Sequence, residues 1–168
     1  MEASNPDRDG GLVLLIDDDV ESRRHARRLL ELRGMEVVQA SNGIAGLELI
    51  QRLPRSFRLV LTELDLPGVS GAVLLGTLRL FRPDLPVICL SGAKAGISAA
   101  GGCLAKPLQS SELHAALDAS LRGDAVGWDP RFAEALNGPA AARARARFAV
   151  AGDLVEAAME LARVDRGA

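Results

Sequence analysis

Tyrosine is absent from this 168-residue chain, which has one tryptophan, two histidines and two cysteines. The cysteines, Cys89 and Cys103, lie in apolar stretches without metal-type spacing. That excludes a disulfide-built scaffold and fits a reduced, cytoplasmic protein. The histidines, His25 and His114, are far apart in the chain and suggest no paired metal ligands; each is expected on a solvated helix face. No apolar run exceeds strand length, so no segment reads as a membrane-spanning helix. A net charge of −2 supplies no strong field to draw nucleic acid or an anionic membrane. The polar start MEASNPDRDGG has no signal-peptide core and reads as a disordered lead-in over residues 1–11. No nucleophile–base constellation and no repeat of fixed period occurs, so an enzyme is not expected.

Apolar residues make up 48% of the chain, ample for a core, and they come in short runs. Leu12–Ile16 is continuous and apolar, as in a strand buried on both faces. Val20–Arg33 follows as a helix with Ala26, Leu29 and Leu30 inward, stopped by Gly34. Glu36–Ala40 is a short second strand. Asn42 caps a helix with Ala45, Leu49 and Leu53 inward, ended by Pro54. Leu59–Leu64 is a third strand, Gly71–Phe81 a helix with Val73, Leu74, Leu78 and Phe81 apolar, and Pro86–Leu90 a fourth strand. Gly102–Ala105 is a short fifth. Ser110 or Ser111 caps a helix through Leu121, with Leu113, Ala116, Leu117 and Leu121 on one face. Strands alternating with helices over short links predict a parallel sheet with right-handed crossovers.

Chemistry-bearing residues gather at the ends of those runs. LVLLIDDD ends in Asp17, Asp18 and Asp19; LVLTE ends in Glu63; VICLS ends in Ser91; CLAKP ends in Lys106 and Pro107. The carboxyl ends of parallel strands meet in one crevice of an open α/β sheet. With Pro67, Gly71 and Pro107 also in place, residues 12–122 resemble the receiver domain of bacterial two-component response regulators. The resemblance implies a doubly wound, flavodoxin-like five-stranded sheet of order 2-1-3-4-5. It also implies a pocket in which acids hold Mg²⁺, a hydroxyl and a lysine meet a phosphoryl group, and an aspartate four residues before the proline accepts phosphate from a histidine kinase.

That aspartate is replaced here by Glu63. Glutamate carries its carboxylate about 1.5 Å further out, one carbon–carbon bond. It is therefore expected to crowd the phosphoryl position and to pair with Lys106, because acyl-phosphate chemistry depends on in-line placement. The family's inward-turning aromatic on the fifth strand is replaced by Cys103, read here as buried packing in preference to a redox sensor. Only ten residues, GAKAGISAAG, separate Ser91 from the fifth strand. A parallel crossover needs a dozen or more, so the fourth helix is expected to be short or missing. Its loss would bare Val87, Ile88, Cys89 and Leu90.

The leading expectation is an atypical receiver: a phosphorylation-independent interaction and regulatory module in two-component signalling. Its partner would be a histidine kinase, another regulator or a second copy. A working phosphotransfer domain, with Mg²⁺ on Asp18, Glu63 and Asp65 and the acyl phosphate on Glu63 or Asp65, is the alternative. Residues 123–168 read as a helical extension. Trp128, Phe132 and Leu136 mark one helical face of it and a candidate interaction surface. Pro139 opens a second helix and Asp153 a third, with Leu154, Ala158, Leu161 and Ala162 inward. The tail is expected to fold back over the bared fourth and fifth strands, with dimerisation as the other cover. Arg143, Arg145 and Arg147 alternate, so on a helix the three do not all share one face, which counts against a nucleic-acid-binding output from the tail.

Overall fold

A computed structural model describes residues 11–92, 103–123 and 138–163. Five parallel strands are ordered β2-β1-β3-β4-β5: β1 Leu12–Ile16, β2 Glu36–Ala40, β3 Phe57–Glu63, β4 Val87–Ser91 and β5 Cys103–Ala105. The first two strands have the bounds that the apolar runs predict. The third starts two residues earlier, because Phe57 registers against Leu12 and buries its ring. Segment 93–102, where a short or missing helix is expected, lies outside the described residues. So do Trp128, Phe132 and Leu136.

Period-two alternation divides the core in two. Leu14, Ile16, Val60, Val87 and Cys89 face helices α2 (Gly43–Arg52) and α3 (Gly71–Phe81). Val13, Leu15, Leu59, Leu61, Ile88 and Leu90 share the opposite cluster with α1 (Val20–Glu31) and α4 (Ser110–Leu121). All of β4 is buried, so the expected exposure of Val87, Ile88, Cys89 and Leu90 does not occur. The α3 and α4 side chains take up the two faces of that strand.

The helix starts follow cap chemistry. Asp19, Asn42 and Ser70 each accept a backbone N–H from the first turn of the helix they open. The fourth helix departs from expectation: Gln109, not Ser110 or Ser111, stands at its cap and makes no side-chain bond there. Two faces are also rotated from those predicted. α2 buries Gly43, Gly46, Leu47 and Ile50, with Ala45 and Leu49 at the margin and Leu53 exposed. In α4, Ser120 is buried and Leu121 exposed. Leu53 lies just past the end of α2, and Leu121 is the last residue of α4.

The tail forms a helical hairpin of α5 (Pro139–Ala151) and α6 (Leu154–Ala162). Gly152 makes the turn with φ at +63°, a left-handed conformation that costs glycine little, and its N–H closes on the Phe148 carbonyl at 2.7 Å. Asp153 caps α6 by accepting from Val155 and Glu156. The hairpin folds back on the body, as expected, but onto a different face: α6 packs against α2 and α3. Leu154, Ala158 and Ala162 enter the α2–α3 core, with Leu161 at its margin. Phe148 stacks on Phe81 with ring centroids 4.4 Å apart, and Gln51 of α2 accepts the Leu154 N–H at the start of α6. Small alanines let the α6 backbone approach closely, and the half-buried Phe81 provides the aromatic anchor.

Candidate functional site

At the carboxyl edge of the sheet, β1 delivers Asp17, β3 delivers Glu63 and the residue after β5 is Lys106. Asp17 is 0% and Glu63 4% exposed, so both carboxylates are out of water. Burial of a charge is costly unless it is paired and hydrogen-bonded, and here each is. The Lys106 ammonium bridges them, 2.6 Å from Asp17 Oδ2 and in direct contact with Glu63 Oε2. Glu63 Oε1 accepts the Leu64 and Asp65 N–H groups at 2.9 and 3.1 Å. Asp17 Oδ1 accepts the Asp19 N–H, and Asp17 Oδ2 also accepts the Ser22 hydroxyl at 2.7 Å. Arg23 clamps the Asp17 carbonyl at 2.6 Å. Burial pulls the pKa of Lys106 down, but hydrogen bonds to Asp17 and Glu63, with their charges, outweigh it and raise the pKa above the usual lysine value.

The extra methylene of glutamate has a visible consequence. It lets one carboxylate reach Lys106 with one oxygen and curl back to the two backbone N–H groups after β3 with the other. The strand-to-helix connection is tight there. The Gly71 N–H bonds the Leu64 carbonyl, and a Cβ on Gly71 would sit 2.2 Å from the Glu63 carbonyl oxygen. A side chain at position 71 would push the end of β3, and Glu63 with it, out of place.

The expected cation ligands are not gathered. Asp18 and Asp65 are exposed, and Glu63 is turned to Lys106. Among the described residues no three of His, Cys, Asp and Glu are placed to hold a metal ion. The residues as arranged therefore do not fit a divalent cation: the lysine ammonium already lies between the two buried carboxylates, where a cation's charge would act.

Ser91 is buried at the end of β4, and its carbonyl accepts the Lys106 N–H at 3.0 Å. The Lys106–Pro107 peptide is cis. Cys103 is buried in the α3-side core, opposite Cys89 on β4. His25 is exposed on α1, as expected, whereas His114 is only partly exposed. His25 Nε2 lies 3.0 Å from the Leu108 carbonyl oxygen, tying α1 to the segment after Lys106. His114 Nε2 is buried and has no hydrogen-bond partner among the described residues. Sequence reasoning missed Ser22 and Arg23, which hold Asp17. Both lie in the first turn of α1, and only their closeness to a helix start hinted at it.

The sequence pattern of the response regulator receiver domain matches residues 13–118. This chain belongs to the receiver family. It is 36% identical over 120 residues to the transcriptional regulatory protein CpxR homolog of Haemophilus influenzae, covering 67% of this chain and 51% of that protein. It is 32% identical over 160 residues to the response regulator protein FleR of Pseudomonas aeruginosa, covering 91% of this chain and 31% of that protein. The chain thus spans about half or less of these curated relatives. A response regulator receiver domain from Clostridium thermocellum superposes with a TM-score of 0.61 at 28% identity, over 67% of this chain and 95% of that one. The receiver's place in two-component signalling follows from this membership. None of its described helices is long and apolar enough to cross a membrane.

Proposed function

We propose that this receiver is a phosphorylation-independent protein-interaction module, and not an enzyme, within two-component signalling. The observation that carries the reading is the state of Glu63. Both of its oxygens are engaged, one by Lys106 and one by the Leu64 and Asp65 N–H groups. A carboxylate held this way has no oxygen set in line for attack on a phosphodonor. Lys106 offsets one of the two buried carboxylate charges, in the role of resident cation. The surface that a receiver normally remodels through its phosphate is then set by the protein itself or by a bound partner. A histidine kinase, another regulator or a second copy is the class of partner that fits.

The tail supports an interaction role over a nucleic-acid one. Arg143 and Arg147 of α5 reach Glu160 and Glu156 of α6, so their charge is spent within the hairpin. The test is incubation with acetyl phosphate and Mg²⁺ followed by intact-mass measurement. The expected mass is unchanged. A stoichiometric phosphoryl adduct that disappears in Glu63→Gln or Asp65→Asn would establish the working phosphotransfer reading instead. Glu63→Asp, which shortens the carboxylate while keeping Asp17, Ser91 and Lys106, is expected to gain labelling.

A further inference from the structure

Cys89 and Cys103 stand directly opposite each other in the parallel β4–β5 ladder, on the same face of the sheet. Neither is in a disulfide. Facing residues on neighbouring strands are about 4.8 Å apart at Cα, within the span a disulfide bridges. The strand that carries Cys103 matters to the site. β5 has three residues, lies at the edge of the sheet and, among the described strands, pairs with β4. Lys106 follows it at once, so the ammonium between Asp17 and Glu63 is positioned by the register of a short edge strand. Short, singly paired elements are where a native fold opens most readily.

We propose that Cys89 and Cys103 are a peroxide-sensitive dithiol whose disulfide locks β5 onto β4 and holds Lys106 in the site. Cys103, 7% exposed against 1% for Cys89, is the sulfur attacked first. Its thiolate takes the distal oxygen of a hydroperoxide: an S–O bond forms, the O–O bond breaks, and the alcohol or water leaves with the thiol proton. The Cys89 sulfur then attacks the Cys103 sulfur, forming S–S and breaking S–O, and the departing hydroxide takes the Cys89 proton and leaves as water. Two thiols are oxidised and one peroxide is reduced. The Cys89 thiol is held far above the ordinary thiol range, first by the neighbouring Cys103 thiol and then by burial, so it stays protonated and is not the first to react. Its place directly opposite Cys103 makes it the resolving partner, and burial makes the reaction slower than at an exposed thiol.

The test uses the full chain under native conditions, treated with hydrogen peroxide and analysed by intact mass, non-reducing peptide mapping and hydrogen exchange. The expected result is loss of two hydrogen atoms, a Cys89–Cys103 linked peptide, and reversal by dithiothreitol. Exchange should also slow at the Lys106 N–H, which bonds the Ser91 carbonyl. Cys89→Ala and Cys103→Ala should each abolish the slowing. The proposal is overturned if the native chain keeps both thiols under treatment that oxidises the denatured chain. It is equally overturned if oxygen adds to one sulfur without a link, if the link joins two chains, or if the link forms and Lys106 exchange does not change.

Discussion

Lys106→Met removes the ammonium between Asp17 and Glu63 while keeping the length and most of the volume of the side chain. Both carboxylates are buried, and the lysine side chain is itself only 17% exposed. Removing one partner of a buried ion pair costs about 3–5 kcal/mol, because a charge is left uncompensated. The lower end applies here, since Asp17 keeps the Asp19 N–H and the Ser22 hydroxyl and Glu63 keeps two backbone N–H groups. A loss of roughly 3 kcal/mol lowers the melting midpoint by roughly 6–12 °C in a domain of this size. Thermal and urea unfolding of both proteins at neutral pH measure it. Equal midpoints would refute the bridging role of Lys106.

The native chain should lose stability at alkaline pH: the folded pKa of Lys106 is raised, so its contribution is full below the ordinary lysine value of 10.5 and fades as pH rises through the folded value. Lys106→Met should not show that loss in an alkaline denaturation series. Leu154→Ala should cost about 2–4 kcal/mol in urea unfolding, since Leu154 is 4% exposed and fills the α2–α3 core. Truncation after Arg122 should bare the same face and give associated species in size-exclusion chromatography; a monomeric, equally stable product would show that the hairpin covers nothing of consequence. Gly71→Ala should cost roughly 1–3 kcal/mol by overpacking against the Glu63 carbonyl, and should move the Leu64 and Asp65 amide resonances.

The pairing of Glu63 with Lys106 was legible from the chain because both end apolar runs, and strand ends of a parallel sheet converge. The same logic brought in Asp17 and Ser91. It also placed Asp18 and Asp65 beside them as possible cation ligands, and in the structure the side chains of both are exposed. Run ends locate a backbone, but the direction of each carboxylate depends on which donors lie nearby. Asp65 follows the strand in an exposed turn, and Asp18 is exposed between buried Asp17 and the α1 cap. The face of α2 was misjudged for a related reason: glycines at positions 43 and 46 carry no apolar signal, yet they allow the closest approach to the sheet.

The sequence by itself determined the strands and helices of the body, the parallel sheet implied by their alternation, the change at position 63, the helix starts at Val20 and Gly71 and the caps at Asn42 and Asp153. Those features rest on local periodicity, cap chemistry and strand-end position, which need no knowledge of distant neighbours. Only the tertiary structure decided that the tail hairpin lies on α2 and α3, that Ser22 and Arg23 hold Asp17, and that Cys89 faces Cys103. Each of these joins elements whose relative placement is set by how the whole core packs. The surfaces involved are alanines, a serine and two thiols, whose side chains are too small or too common to announce their partners.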